Sequence, residues 1–175
     1  MSKAISMGGS MKYRINQKFF SLTDSFTIED ERGAVAFTAK GKLLSVSSSQ
    51  TLFDQNERPI LQIKRKYLSL LPACRLVNID GSEWLIKKRF WPFWTSRFTI
   101  DTPEGQLEMT GNLWQHEYEI TRQGQRLASV SKKLFSFTDS YGVDIVDTSL
   151  TPQLLATVIV VDRIQHKDSG AVGGD

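Results

Sequence analysis

A run near the end of the chain is apolar on every face of the helix that it would form. Leu154–Val161 reads LLATVIVV, with Thr157 as its only polar residue. A helix that is hydrophobic all round must be buried all round. This run is shorter than the roughly 20 apolar residues that a bilayer crossing requires. The preceding chain is therefore expected to enclose it.

Local signals favour a helix over about residues 151–166. Thr151 is a plausible N-cap, and Pro152 stands in a first-turn position where its missing N–H costs nothing. The β-branched run Val158–Val161 is also typical of a buried strand, and that alternative remains open on propensity alone. The residues that we predict for the core helix are Leu154, Leu155, Val158, Ile159, Val161 and Asp162.

Composition indicates one intracellular domain, predicted at residues 11–167. The single Cys74 cannot form an internal disulfide, which favours a reducing compartment. No segment resembles a signal peptide or a membrane-spanning helix, so we expect a cytoplasmic location, with peripheral membrane contact left open. The small, polar and glycine-rich residues 1–10 and 168–175 are expected to be disordered tails.

The rest of the chain is built from a repeat. Lys18–Ser25 (KFFSLTDS) returns as Lys133–Ser140 (KLFSFTDS), and shorter or degenerate copies begin at Lys42, Lys66 and Arg89. Turns of a second kind lie between these copies and end every 24 residues: DERG, DQNE, NIDG and TPEG. An Asx residue at the start and glycine at the end are ordinary turn chemistry. One repeat is therefore a hairpin with one basic and one acidic turn.

The segments between the turns alternate apolar and polar residues, as half-buried strands do. Val35, Phe37 and Ala39 are one example, and the count from Lys12 to Val146 predicts twelve strands in an antiparallel meander. A sheet of that size is expected to close, which removes its edges. Twelve strands leave room at the axis for a helix about 10 Å wide. The predicted fold is mainly β, a closed twelve-stranded antiparallel barrel of repeated hairpins around the buried C-terminal helix.

These motifs resemble the LURP-one-related family, which belongs with the tubby-like proteins and the phospholipid scramblases. The tandem Lys-x-apolar-Ser and Asp-x-x-Gly turns carry the resemblance, together with Gly111–Ile120 (GNLWQHEYEI), Lys132–Ile145 (KKLFSFTDSYGVDI) and the apolar run that ends at Asp162. The resemblance covers about residues 11–167. Glu57 in place of a turn glycine, and Pro92 in the fourth basic turn, depart from the pattern.

The resemblance implies a twelve-stranded barrel around a C-terminal helix and no established enzymatic activity. The family's tubby relatives bind phosphoinositide headgroups through basic barrel residues, and its scramblase relatives act at membranes. No headgroup-binding residue of the tubby proteins is matched to a position in this chain.

Alternate turns of a meander lie at the same end of the barrel, so the lysine turns should form a basic rim. The opposite, acidic rim should carry Asp30, Glu31, Asp54, Glu57, Asp80 and Glu104. A basic rim could attract anionic headgroups, at about 1 kcal/mol per residue near the surface. The alternative is solvated lysine that discourages edge pairing. The predicted contacts with an anionic ligand or membrane are Lys18, Lys42, Lys66, Lys87, Lys88, Arg89, Trp91, Trp94 and Lys133.

Lys87–Trp94 (KKRFWPFW) is the most distinctive local stretch. Aromatic rings beside cations are typical of a membrane-interface anchor and also of single-strand nucleic-acid binding. The plainer interpretation packs Trp84, Trp91 and Phe93 in or beside the barrel and leaves the charges outside. Since the net charge is only +3, a nucleic-acid partner is not expected.

No pattern of residues points to catalysis, a metal or a cofactor. His116, His166 and Cys74 lack the spacing of metal ligands, and the repeated Thr-Asp-Ser triplets have no nearby histidine to act as a base. We expect Asp162 near the basic rim, paired with a lysine or arginine or accepting backbone N–H groups, because an unpaired buried carboxylate is costly.

The sequence thus favours a non-enzymatic binding module that needs no cofactor and contacts anionic phospholipid or another acidic ligand through its basic rim. The alternative is an intracellular protein-interaction scaffold without lipid binding. A monomer is expected in either case.

Overall fold

The computed structural model describes residues 9–16, 25–41, 49–66, 73–89, 97–113, 115–132 and 140–170. The strands are β1 (Met11–Asn16), β2 (Ser25–Asp30), β3 (Val35–Lys40), β4 (Ser49–Asp54), β5 (Pro59–Lys66), β6 (Ala73–Asn78), β7 (Glu83–Arg89), β8 (Arg97–Thr102), β9 (Gly105–Asn112), β10 (Glu117–Arg122), β11 (Gln125–Ser131) and β12 (Ser140–Ile145). A 3-10 turn (Thr148–Leu150) then leads into the helix α1 (Thr151–Gly170). Most of the two predicted tails, residues 1–8 and 171–175, lies outside the described residues.

Every strand pairs antiparallel with its sequence neighbours, and β1 pairs with β12 to close the barrel. In that closing pair Tyr13 lies opposite Val143 and Ile15 opposite Tyr141. All four side chains are buried, so the first and last strands contribute to one continuous core. The prediction of a closed twelve-stranded meander is confirmed.

Helix α1 lies in the core that this barrel encloses. Each residue of Leu154–Val161 is at most 1% exposed. Helix α1 contacts β5, β6, β7 and β12. The β-branched run is therefore helical, because packing on all sides outweighs its strand propensity. The structure buries all six predicted core-helix residues, including Asp162.

The start of α1 differs in detail from the sequence prediction. Thr151 already has helical backbone angles, and its hydroxyl donates to the Thr148 carbonyl at 2.9 Å. The side chain of Asp147 accepts from the Ser149 backbone N–H and caps the 3-10 turn. The helical backbone thus begins before Thr151, which is why Asp147 takes the capping role. The helix also continues to Gly170, beyond the predicted end at residue 166.

The direction of α1 follows from the even number of strands. β12 ends at the acidic-turn end of the barrel, and α1 re-enters from there. A hydrogen bond of 2.9 Å from Gln153 Nε2 to Asn78 Oδ1 ties the first turn of α1 to the end of β6. The C-terminal half of α1 therefore lies towards the end where the basic turns connect the strands.

Three of the acidic turns share one geometry. The N–H of Gly33, Glu57 and Gly81 each donates to a carbonyl three residues earlier at 3.0 Å. All three residues have left-handed backbone, with φ of 79°, 57° and 83°. Glu57 therefore holds a conformation that glycine adopts more easily, and its carboxylate pairs with Lys40 Nζ at 2.9 Å. That hydrogen bond to Lys40 lowers the pKa of Glu57.

We expect Gly81→Ala to lower the free energy of unfolding by about 1–2 kcal/mol, because a side chain at left-handed φ is strained. The added Cβ would meet no atom within 4 Å, so the strain acts alone. Glu57→Gly relieves the same strain and is expected to be neutral or stabilising. Urea denaturation of both variants checks this. A loss of stability in Glu57→Gly equal to that in Gly81→Ala would contradict the interpretation.

Candidate functional site

The predicted contact residues fall into two groups. Those that lie outside the described residues are Lys18, Lys42, Trp91, Trp94 and Lys133. Lys66 is the last residue of β5, and Lys87, Lys88 and Arg89 are the last three residues of β7. The described part of the basic end is therefore carried by β5 and β7 and by the strands beside them.

Strand alternation separates the three cations of β7. Lys87 and Arg89 are exposed on the outer face, whereas Lys88 is half-buried and lies in register with the buried Phe98. A side chain on every second residue points to the same face. The run Lys-Lys-Arg is thus not one basic patch, because its middle member faces the barrel interior.

Neighbouring strands add cations to the outer face. Lys64 on β5 lies directly opposite Arg75 on β6. Like charges directly opposite each other across strands are destabilising. We call the outer-face residues Lys64, Arg75, Lys87 and Arg89 the basic wall.

Two carboxylates partly balance the basic wall. Arg75 pairs with Glu83 at 3.2 Å, and Lys87 pairs with Asp101 at 2.6 Å. The hydrogen bond from Lys87 holds the pKa of Asp101 below its usual value. Among the described residues, no carboxylate forms an ion pair with Lys64 or Arg89. The wall therefore keeps a positive excess, and its paired members remain about half exposed.

The next third of the barrel has the opposite charge. The outer faces of β9, β10 and β12 carry Glu108, Glu117, Glu119 and Asp144, which we call the acidic wall. A surface groove of about 490 Å³ follows β9, β10 and β11 there and is lined by Glu117 and Glu119 among hydroxyl side chains. Charge therefore differs between sides of the barrel, in addition to the difference predicted between its rims.

Inside the barrel, Asp162 is paired with a histidine. Asp162 is 4% exposed in the C-terminal half of α1, and its Oδ1 lies 2.6 Å from Nε2 of His116, which is 6% exposed. The sequence prediction placed Asp162 towards this end but expected a lysine, an arginine or backbone N–H groups. The sequence interpretation considered His116 only as a metal ligand. The signal that could have predicted this pair is Asp162 itself, because a buried carboxylate needs a partner and few buried side chains can supply one.

The local chain holds His116 in place. His116 ends the β9–β10 connection with a left-handed φ of 54°, and its ring stacks on Tyr141 at a centroid distance of 4.4 Å. Gly111 permits this arrangement, because a Cβ there would lie 2.5 Å from the Glu117 carbonyl and 2.7 Å from the Tyr118 Cα. The GNLWQHEYEI motif thus brings β10 and β9 unusually close beside the buried pair.

Two tyrosine hydroxyls complete this buried cluster. Tyr118 and Tyr141 are each at most 4% exposed. Neither hydroxyl has a hydrogen-bond partner among the described residues. Burial, and then the negative charge of Asp162, raises the pKa of both hydroxyls well above 10. An unsatisfied buried hydroxyl costs stability, so these groups contribute little to holding the fold together.

The described residues offer little reactive chemistry. Burial raises the pKa of Cys74 to about 11, so its thiol stays protonated near neutral pH. No group of three or more His, Cys, Asp or Glu side chains within the described ranges is placed to hold a metal ion. In the same ranges, no helix has the length and hydropathy needed to cross a membrane.

Comparisons with known proteins agree with this geometry. The family model described as LURP-one-related matches residues 11–162. The chain is 29% identical over 154 residues to the uncharacterized protein YxjI of Bacillus subtilis (strain 168), which covers 88% of this chain and 93% of that protein. An X-ray structure of a protein from Arabidopsis thaliana has a TM-score of 0.61 at 12% identity, over 88% of this chain and 92% of that one. At such low identity the likeness shows the fold alone.

We expect His116→Ala to lower the free energy of unfolding by about 3–5 kcal/mol, because it removes this partner from a buried carboxylate. Asp162→Ala should cost less, since it removes the buried carboxylate itself instead of its partner. The double variant should lose clearly less than the sum of the two single losses. Urea denaturation of all four proteins measures this coupling. Additive losses would show that the pair does not act as a unit.

We also expect stability to fall in alkaline solution through Tyr118 and Tyr141. Their contribution is fully present below the unfolded pKa near 10. Above it the unfolded chain releases these protons first, and the free energy of unfolding falls by at most about 1.4 kcal/mol per pH unit for each tyrosine, until pH passes the folded pKa. Urea denaturation from pH 8 upward measures the slope.

The control for the alkaline prediction is the double variant Tyr118→Phe/Tyr141→Phe. At neutral pH it should be about as stable as the native chain, because the hydroxyls that it removes have no described partner. Its alkaline slope should be smaller. An unchanged slope would assign the pH dependence to other groups.

Proposed function

The chain belongs to the LURP-one-related family, and we propose that it is a non-enzymatic binding module whose cationic outer residues contact an anionic ligand. Phospholipid headgroups are the leading candidates, and another acidic molecule would satisfy the same chemistry. The observation that carries this proposal is the basic wall, where Lys64 faces Arg75 across neighbouring strands.

The register of the basic wall is unfavourable for the protein alone. Lys64 opposite Arg75 places like charges side by side. An anionic partner would relieve this repulsion, since each cation would then gain an opposite charge. Recognition surfaces typically contain charges that repel each other in the free protein and are stabilised when a partner of opposite charge binds.

The packed interior supports a binding role rather than catalysis. Helix α1 occupies the space that a ligand would need, with Leu155, Val158 and Ile159 fully buried. Cys74 is a buried, protonated thiol, and the His116–Asp162 pair is occupied in holding α1. We therefore propose that ligands meet the outer surface and that no cofactor is required.

The alternative proposal, a protein-interaction scaffold, is favoured by a different observation. The groove on the acidic wall, lined by Glu117 and Glu119, would suit a basic segment of another protein. Partners recovered by pull-down without any dependence on lipid, and lost in Glu117→Gln/Glu119→Gln, would support the scaffold.

Vesicle flotation tests the leading proposal. We expect the native protein to float with vesicles that contain anionic phospholipid, to float less with neutral vesicles, and to be released by added salt. Lys64→Gln/Arg89→Gln should weaken binding about tenfold or more, given about 1 kcal/mol per cation near the surface.

The matched control is Lys12→Gln/Arg32→Gln. It also removes two exposed positive charges, but from the region of the acidic turns, away from the basic wall. Its affinity should stay close to that of the native chain. If native flotation is insensitive to salt and lipid charge, or if both double variants lose affinity equally, the basic wall is not the binding surface.

A further inference from the structure

The β6–β7 hairpin carries two unusual features at its opposite ends. Arg89 lies at the basic end of β7, and Ile79 lies in the turn at the acidic end. Ile79 is 71% exposed, the largest fraction among the large hydrophobic residues in the described part of the chain. With about 3.3 Å per strand residue, the two ends of the hairpin are about 20 Å apart.

From this placement we infer that the protein docks side-on to the surface of an anionic lipid bilayer. The basic wall would lie flat against the headgroups, and Ile79 would enter the interface. This inference rests on the proposed function but changes its geometry. A barrel standing upright on its basic rim would leave Ile79 far from the membrane, whereas a barrel on its side brings both features to one plane.

The outer face between those ends suits a bilayer surface. Arg75 and Lys87 lie between Arg89 and the acidic end, and the outward residues Val77 and Leu85 are half-buried and apolar. The cations spread over three neighbouring strands about 4.8 Å apart rather than converging on one point. A broad, flat anionic surface can meet all of them together, which a small acidic ligand cannot.

The acidic residues near Ile79 are compatible with this contact. Asp80 turns back into its own turn, where it accepts from the Ser82 N–H at 2.8 Å and from the Ser82 hydroxyl at 2.6 Å. Glu83 and Asp101 are paired with basic-wall residues. The acidic wall occupies the next third of the barrel, so side-on docking through β5–β7 turns it away from the anionic surface.

Site-specific fluorescence on vesicles tests the orientation. An environment-sensitive dye is attached to Asp80→Cys or to Arg32→Cys, which occupy equivalent positions in two acidic turns. The native Cys74 is buried and should label poorly. With vesicles containing anionic phospholipid, the dye at position 80 should shift to shorter wavelength and be quenched by nitroxide-bearing lipid. The dye at position 32 should not respond.

A pair of unlabelled variants adds an independent readout. Ile79→Ser should weaken flotation several-fold, because it removes the side chain that enters the interface. Val35→Ser is the control, since Val35 is a 45% exposed hydrophobic residue at the same end on another side of the barrel. The control should bind like the native chain. Equal losses in both variants would overturn the inference.

The other outcomes are also decisive. If the protein floats and neither dye responds, or both respond equally, side-on docking is wrong and the proposed anionic binding stands. If the protein does not float with anionic vesicles, the proposed function fails and side-on docking fails with it. If a single-stranded oligonucleotide shifts the dye at position 80 as strongly as vesicles do, the partner is not a bilayer.

Discussion

The mutual burial of α1 and the barrel wall underlies the rest of the structure. Leu154–Val161 would be insoluble as an isolated helix, and a twelve-stranded barrel would be hollow without a filling element. Each part therefore removes the apolar surface of the other from water, at about 25 cal/mol per Å². The pairing of β12 with β1 closes the barrel, and α1 follows β12 directly through the 3-10 turn Thr148–Leu150.

Asp162 interrupts this apolar packing, and the chain around it is adapted to it. Asp162 is held by His116, whose left-handed backbone is accommodated by the close approach of strands at Gly111. The buried pair anchors the C-terminal half of α1 to the β9–β10 connection. Tyr118 and Tyr141 stand beside this pair, and burial raises the pKa of both hydroxyls.

A filled interior leaves the outer surface as the accessible part of the barrel. Strand alternation sends every second residue outward, and the register then decides which outward charges become neighbours. On β5–β7 this produces the basic wall, and on β9–β12 the acidic wall. The protein therefore has a charge asymmetry across its width, in addition to the charge difference predicted between its two rims.

The sequence by itself determined the architecture, because hydrophobic periodicity and turn chemistry are local properties. The 24-residue repeat predicted the hairpins, and the run Leu154–Val161 required that they enclose a helix. Only the tertiary structure decided what lies beside what. Three features depend on strand register and on packing between distant segments: the position of Lys64 opposite Arg75, the inward direction of Lys88 and the contact of His116 with Asp162. Local residue spacing determines neither the register nor the packing.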